Sequence, residues 1–214
     1  MPRIKTDGLV LYVPMYRTSL NTSPFISADT NHHSCAVTGA TWGSQGRRFD
    51  GTDDYITIPY NSILQPSGAA SWVFWIFPTA NTQETIINKG ISAGDPDYII
   101  QYARAGTTEA LSVYNGTAWV DSTNNILATN LWQHLALVWN GAAISVYVQG
   151  IYKEDLVCTS MQSSVNDVSI GRQGGTTRSG NYYSGIIGEV WIYSRALSLS
   201  EVQSHRLETM WRYH

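Results

Sequence analysis

The sequence predicts an all-β sandwich of two antiparallel sheets with one short C-terminal helix, and three observations carry that expectation. At least ten short runs rich in β-branched and aromatic residues are separated by Gly, Asn, Asp or Pro, the spacing of a many-stranded sandwich. No alternation of strands with helical patterns interrupts them, which removes the α/β classes. Charged residues make up only 14% of 214, while Gly, Ser, Thr and Asn are plentiful, the profile of a loop-rich β protein with a polar but uncharged surface. All-β domains commonly use this length for one core, so one domain is expected over residues 1–214.

In chain order, residues 8–16 (GLVLYVPMY) read as an apolar opening strand, with Pro14 confined to its end or to a sheet edge because it lacks an amide donor. Residues 17–33, with Pro24 and the pair His32-His33, read as a long surface connection, and residues 34–42 as a short strand with a turn at Gly39. The stretch 47–59, RRFDGTDDYITIP, organises the chain: a turn at Asp50-Gly51 lies between Phe49 and an alternating run in which Ile56 and Ile58 share one face. Residues 71–77 (SWVFWIF) are apolar on both faces and must be covered on both sides or line a groove. Residues 85–90, 98–102, 110–114 and 119–121 are further strands, with Asn115-Gly116 as a hairpin signal. Residues 132–140 and 144–150 form a second strong hairpin, around Gly141. Residues 168–172 and 185–197 complete the set, and Ser198-Leu199-Ser200-Glu201 is a capping box that starts a helix running to about Leu207.

Composition excludes several functions. A net charge of -3 with 13 scattered Lys and Arg gives no basic field for a phosphate backbone, so nucleic acid is not an expected partner. No segment has the apolar length of a membrane-spanning helix, and the first sixteen residues lack the apolar core and cleavage site of a signal peptide. Cys35 and Cys158 are too few for a disulfide framework and leave either two reduced thiols or one bridge open. There is no nucleophile elbow, helical His metal pair or phosphate-binding glycine loop.

The order F-D-G, two residues, D-Y-I at residues 49–56 resembles the laminin G-like members of the concanavalin A-like jelly rolls. The opening strand, WQHLALV at 132–138, ISVYVQG at 144–150 and IGEV at 187–190 resemble the same family in the same order, over roughly residues 8–201. The resemblance implies a two-sheet jelly-roll sandwich whose members include lectins, glucanases and adhesion modules. Stand-alone chains opening D-G-L-V-L-Y resemble those of tailed bacteriophages and viral metagenomes. That implies a non-catalytic virion-surface protein, a capsid decoration or tail module, with glycans or virion proteins as partners and copies of itself in an oligomer. It would reach the extracellular space on particle release. The alternative is a free-standing carbohydrate-binding, lectin-like protein; a polysaccharide-degrading enzyme ranks below both.

Glucanases of this fold place an E-x-D-x-x-E run along one strand so that two carboxyls lie about 5 Å apart across the sugar. Here Glu84, Glu109, Glu154, Glu189, Glu201 and Glu208 are dispersed, and no catalytic residue is assigned. Calcium is the one cofactor the resemblance brings in. The closing strand has Gly188 where the family pattern I-D-E-V has Asp, leaving Asp50, Asp53 and Asp54, or Asp95 with Asp97, as candidate ligands; capping of their own turns is the favoured reading of the same residues. For sugar, Trp75 on an open sheet face, Trp119, and the loop at 174–185 with Arg178, Asn181, Tyr182 and Tyr183 are the candidates. Aromatic side chains with a polar handle suit half-wet sites, although strands also favour them for packing.

Overall fold

The computed structural model describes residues 4–90, 96–104, 109–123, 125–174 and 180–213. The strands are β1 (Leu9–Pro14), β2 (Phe25–Ile26), β3 (Ser34–Thr38), β4 (Thr41–Gly43), β5 (Gly46–Asp50), β6 (Tyr55–Ile58), β7 (Ala70–Pro78) and β8 (Glu84–Gly90). They continue with β9 (Pro96–Tyr102), β10 (Leu111–Tyr114), β11 (Trp119–Asp121), β12 (Gln133–Trp139), β13 (Ala143–Val148), β14 (Ile151–Val157), β15 (Val168–Ile170) and β16 (Ser184–Tyr193), and helix α1 (Leu199–Thr209) follows. The first sheet runs β14-β13-β12-β7-β16-β5-β4, with β1 also on β16; the second runs β11-β10-β9-β8-β15-β6-β3-β2. Their central pairs are antiparallel, giving the expected sandwich.

Alternation along the strands builds the core between the sheets. Trp72, Phe74 and Ile76 of β7, Leu135 and Leu137 of β12, and Ile144, Val146 and Val148 of β13 meet Tyr98, Ile100 and Tyr102 of β9, Leu111 and Val113 of β10, and Ile56 and Ile58 of β6. Cys35 and Cys158 are both buried free thiols, and burial pushes the Cys35 thiol up to about 12.

Two segments differ from expectation. Residues 34–42 are two strands in different sheets, β3 and β4, because the left-handed Gly39 (φ +71°) lets the chain turn from one layer to the other. Residues 17–33 are an anchored cover rather than a surface connection, with Leu20, Phe25, Ser27, Asp29 and His33 buried. The Asp29 carboxylate accepts the amides of Tyr12 (2.9 Å) and Asn31 (2.8 Å), and the Ala28 amide donates to the Tyr12 carbonyl (2.8 Å). Backbone groups on the edge strand β1 are thereby satisfied.

The outer face of the first sheet is also filled. Val73 and Trp75 of β7, Ala136 and Val138 of β12, and Trp191 and Tyr193 of β16 pack under Leu197, Val202 and Tyr213. Helix α1 has the predicted capping box, with the Ser198 hydroxyl accepting from the Glu201 amide (3.3 Å) and the Glu201 carboxylate accepting from the Ser198 amide (2.8 Å). Val202, His205 and Thr209 are its buried residues, a spacing that puts them on one side of the helix. Among the described residues no helix is long and apolar enough to cross a membrane.

Candidate functional site

The candidate site lies on the outer side of the second sheet. In β9 and β10 the alternation that sends Tyr98, Ile100, Tyr102, Leu111 and Val113 inward leaves Ile99, Gln101, Ser112 and Tyr114 on the other side. A cavity of about 180 Å³ lies there, lined by Gln83, Ile99, Arg104, Tyr114, Trp119, Gln173 and Asn181. The rings of Tyr114 and Trp119 make one wall, 5.2 Å apart and tilted by 53°. The Arg104 guanidinium lies 4.8 Å over the Trp119 ring and clamps Asp121 through two hydrogen bonds, Nε to Oδ1 at 3.1 Å and Nη2 to Oδ2 at 2.6 Å. The pair lowers the Asp121 carboxyl and raises the Arg104 guanidinium, each through the hydrogen bond to the other.

The opposite wall is a chain of amides. Gln83 Nε2 donates to Gln101 Oε1 (3.1 Å), Gln101 Nε2 donates to Thr85 Oγ1 (2.9 Å) and Gln173 Oε1 (3.4 Å), and Asn181 Nδ2 donates to the same Gln173 oxygen (2.7 Å). Gln101 is fully buried and touches no solvent; its place in the chain fixes the orientation of the amides on either side. Asn181 sits at φ +48°, a left-handed conformation that Asn adopts more readily than most residues. The Thr85 amide holds its carbonyl at 2.8 Å.

Of the residues singled out for sugar, Trp119 and Asn181 are brought together in this cavity. Tyr182, next to Asn181, is half-buried and outside the lining. Trp75 cannot present a platform. It is 2% exposed, stacked on Tyr213 at 4.5 Å, with its indole N–H donated to Thr209 Oγ1 (2.7 Å), because the helix and the tail occupy the face expected to be open. Tyr183 is 0% exposed and meets Phe49 edge-on at 6.0 Å, a core residue rather than a loop contact. Arg178 lies outside the described residues, as does Asp95. Sequence reasoning missed Gln83, Gln101, Arg104, Tyr114 and Gln173. Gln101, a polar side chain directly after Tyr98-Ile99-Ile100 in β9, was the signal that could have found the face.

The acidic candidates serve the fold. Asp50, Asp53 and Asp54 do come together, with a carboxylate oxygen of each within 4.8 Å of the others. Yet Asp50 Oδ1 accepts the amides of Thr52 (2.8 Å) and Asp53 (3.4 Å), and Asp54 Oδ2 accepts the amide of Asp50 (2.9 Å). Burial raises the Asp54 carboxyl, which disfavours the ionised form a cation needs. Calcium takes about six to eight oxygens; these residues fit a turn better than such a shell. Asp97 is buried in an ion pair with Lys89, whose ammonium also donates to the Ser164 carbonyl (2.7 Å). Glu189, fully buried, accepts from Tyr12, Tyr213 and Arg212 (2.9, 2.9 and 2.7 Å); burial raises its carboxyl, with Arg212 opposing.

The sandwich matches a known class. The laminin G-type family model described as the concanavalin A-like lectin/glucanases superfamily matches residues 50–203, and the chain belongs to that family. No curated protein matches the chain significantly in sequence. Among solved structures, the chain is similar to domain 4 of AbnA, an extracellular arabinanase from Geobacillus stearothermophilus, in complex with arabinotriose. Identity is 20% and the TM-score 0.70, covering 92% of this chain and 97% of that one. It is also similar to the ligand-binding domain of botulinum neurotoxin serotype D in complex with N-acetylneuraminic acid, at 14% identity and TM-score 0.72, covering 96% of this chain and 52% of that one. A Trypanosoma rangeli sialidase mutant matches at 17% identity and TM-score 0.74, covering 100% of this chain and 35% of that one. The chain thus spans about half of the toxin domain and a third of the sialidase. At these identities the likeness is one of fold, and that fold serves both enzymes and binding domains.

Proposed function

We propose that the protein is a non-catalytic, sugar-binding module and that the cavity between β9, β10, β11 and Asn181 holds one sugar residue. The observation that carries this reading is the convergence of Trp119 and Tyr114 with Gln83, Gln173 and Asn181 around about 180 Å³, room for about six waters. An aromatic wall opposite oriented amides is what a sugar ring, apolar on its faces and polar at its rim, requires. The similar domains complexed with arabinotriose and with N-acetylneuraminic acid support a glycan as the ligand class. The carboxylate beside the cavity, Asp121, is locked to Arg104, whereas glycoside hydrolysis uses two carboxyls about 5–9 Å apart with one free to donate a proton. A virion surface, exposed to the outside after particle release, is the setting proposed with it and rests on the opening D-G-L-V-L-Y.

A glycan array read with and without calcium, repeated with Trp119→Ala, tests the function. Calcium-independent binding that the variant loses is the expected result, and an array without hits would sink it. Immunogold labelling of purified particles tests the setting. A second reading, contact with a partner or another copy, is favoured by a hollow of about 350 Å³ beside Gln149, Ile151 and Leu207, where Ile151 and Leu207 are exposed. Among the described residues lining it the one cation, Arg206, is turned onto Gln149 (3.1 Å), so its charge is engaged within the protein rather than offered to a small ligand. Light scattering showing a dimer that Leu207→Lys dissolves would establish that contact; a monomer at all concentrations would remove it.

A further inference from the structure

We infer that the cavity selects an uncharged sugar residue and that the Arg104–Asp121 pair is what excludes acidic ones. This rests on the sugar-binding reading above and adds the chemical class of the ligand. The wall amides each have one polar atom engaged by a neighbouring amide. Gln83 gives its Nε2 to Gln101, while its Oε1 has no protein partner among the described residues. Gln173 uses its Oε1 twice, leaving Nε2. Asn181 uses Nδ2, leaving Oδ1. The Gln83 and Asn181 oxygens remain as acceptors, and the Gln173 nitrogen with the second N–H of the other two amides remain as donors. A hydroxyl both donates and accepts and can match both kinds of partner; a carboxylate only accepts, so it leaves the two amide oxygens unmatched.

The charges point the same way. Among the described lining residues Arg104 is the one charged side chain, and its guanidinium is already committed edge-on to Asp121 through two hydrogen bonds while its face covers Trp119. An acidic sugar reaching for Arg104 would have to displace Asp121 or sit beside its negative charge, and either costs more than the new contact returns. A neutral residue leaves the pair intact and uses the wall beside it.

Titration calorimetry with the whole chain decides this. The probes are neutral arabino-, gluco-, galacto- and manno-oligosaccharides and the same chains ending in a uronic or sialic acid. Neutral probes should bind at least about tenfold more tightly than their acidic counterparts, with a change under about twofold between low and high salt, since no net charge is exchanged. Asp121→Asn, which removes the negative partner of Arg104 in this pair, should raise acidic binding relative to neutral binding about fivefold or more. Acidic probes binding best to the native chain, with Trp119→Ala abolishing that binding, would overturn the inference while leaving the sugar-binding reading in place. An unchanged preference in Asp121→Asn would overturn the pair as selector. No binding of any probe would remove both readings together.

Discussion

Arg47 shows how a residue read as part of a turn motif becomes a structural tie. In R-R-F-D-G the alternation of β5 buries Arg47 and Phe49 while Arg48 stays exposed. The buried guanidinium donates to the carbonyls of Ala40 (2.9 Å), Leu20 (2.6 Å) and Thr22 (3.0 Å) and lies 5.4 Å from the Phe25 ring. It thus fastens residues 20–25 and 40 to the sandwich without a carboxylate partner; burial lowers its pKa, with the Cys35 thiol the charge partner that opposes. Arg47→Met keeps much of the stem packing but strands three carbonyls, two of them in buried contacts, and should destabilise the fold by about 3 kcal/mol. That corresponds to a Tm lower by roughly 6–12 °C for a chain of this size. Arg48→Met, on the exposed side of the same strand, should change Tm by no more than a degree or two; equal effects of the two would refute the tie.

At the scale of elements, the C-terminal helix and tail decide which face of the sandwich is open. Gly188 lies at the bulge where β16 shifts register against β7, and a Cβ there would fall 2.5 Å from the Tyr213 ring. The Asp of the family pattern is replaced by hydrogen, and Tyr213 fills the space, stacking on Trp75 and donating to Glu189 (2.9 Å). Gly188→Asp should therefore expel Tyr213, costing about 1–3 kcal/mol of overpacking relief and exposing Arg206 and Arg212 to trypsin. A digestion pattern identical to the parent would rule this out. The strands, hairpins and capping box were legible in the sequence because each is a local pattern: period-two alternation, Asn-Gly, Ser-x-x-Glu. The covering of Trp75 was not, because it depends on a contact between residues 75 and 213 that no local window contains. The amide wall was hidden for the same reason, being assembled from residues 83, 101, 173 and 181 on separate segments, and only Trp119 and Asn181 stood out in advance by their loop setting.

For the whole molecule, two buried sites of opposite type shape the response to pH. His205 is held down to about 4 by burial, and His134, enclosed against Trp75 and His205, is held well below its usual value by burial and then by the neighbouring His205 and Arg206. Neutral in the fold, they contribute stability that is present above about pH 6.5 and is lost as pH falls toward 4. Glu84 behaves in the reverse sense. Burial raises it to about 7, against the opposing hydrogen bonds from the Ser184 amide (3.1 Å) and the Thr82 hydroxyl (3.1 Å). The folded state holds its proton more tightly than the unfolded chain, so stability decreases as pH rises from about 4.5 to 7 and is flat beyond. Around pH 5.5 the proton kept by Glu84 opposes those that the unfolded His134 and His205 take up, so the two kinds of group partly offset one another in the pH dependence. Glu84→Gln keeps an acceptor for Ser184 and removes the titration. Its Tm should exceed the parent's at pH 8, where an ionised buried carboxylate costs about 1–3 kcal/mol, and the difference should shrink to zero by about pH 4.5, where both side chains are neutral. Because every other titrating group cancels in that difference, parallel melting curves across pH 4.5–8 would show that Glu84 is not the group responsible.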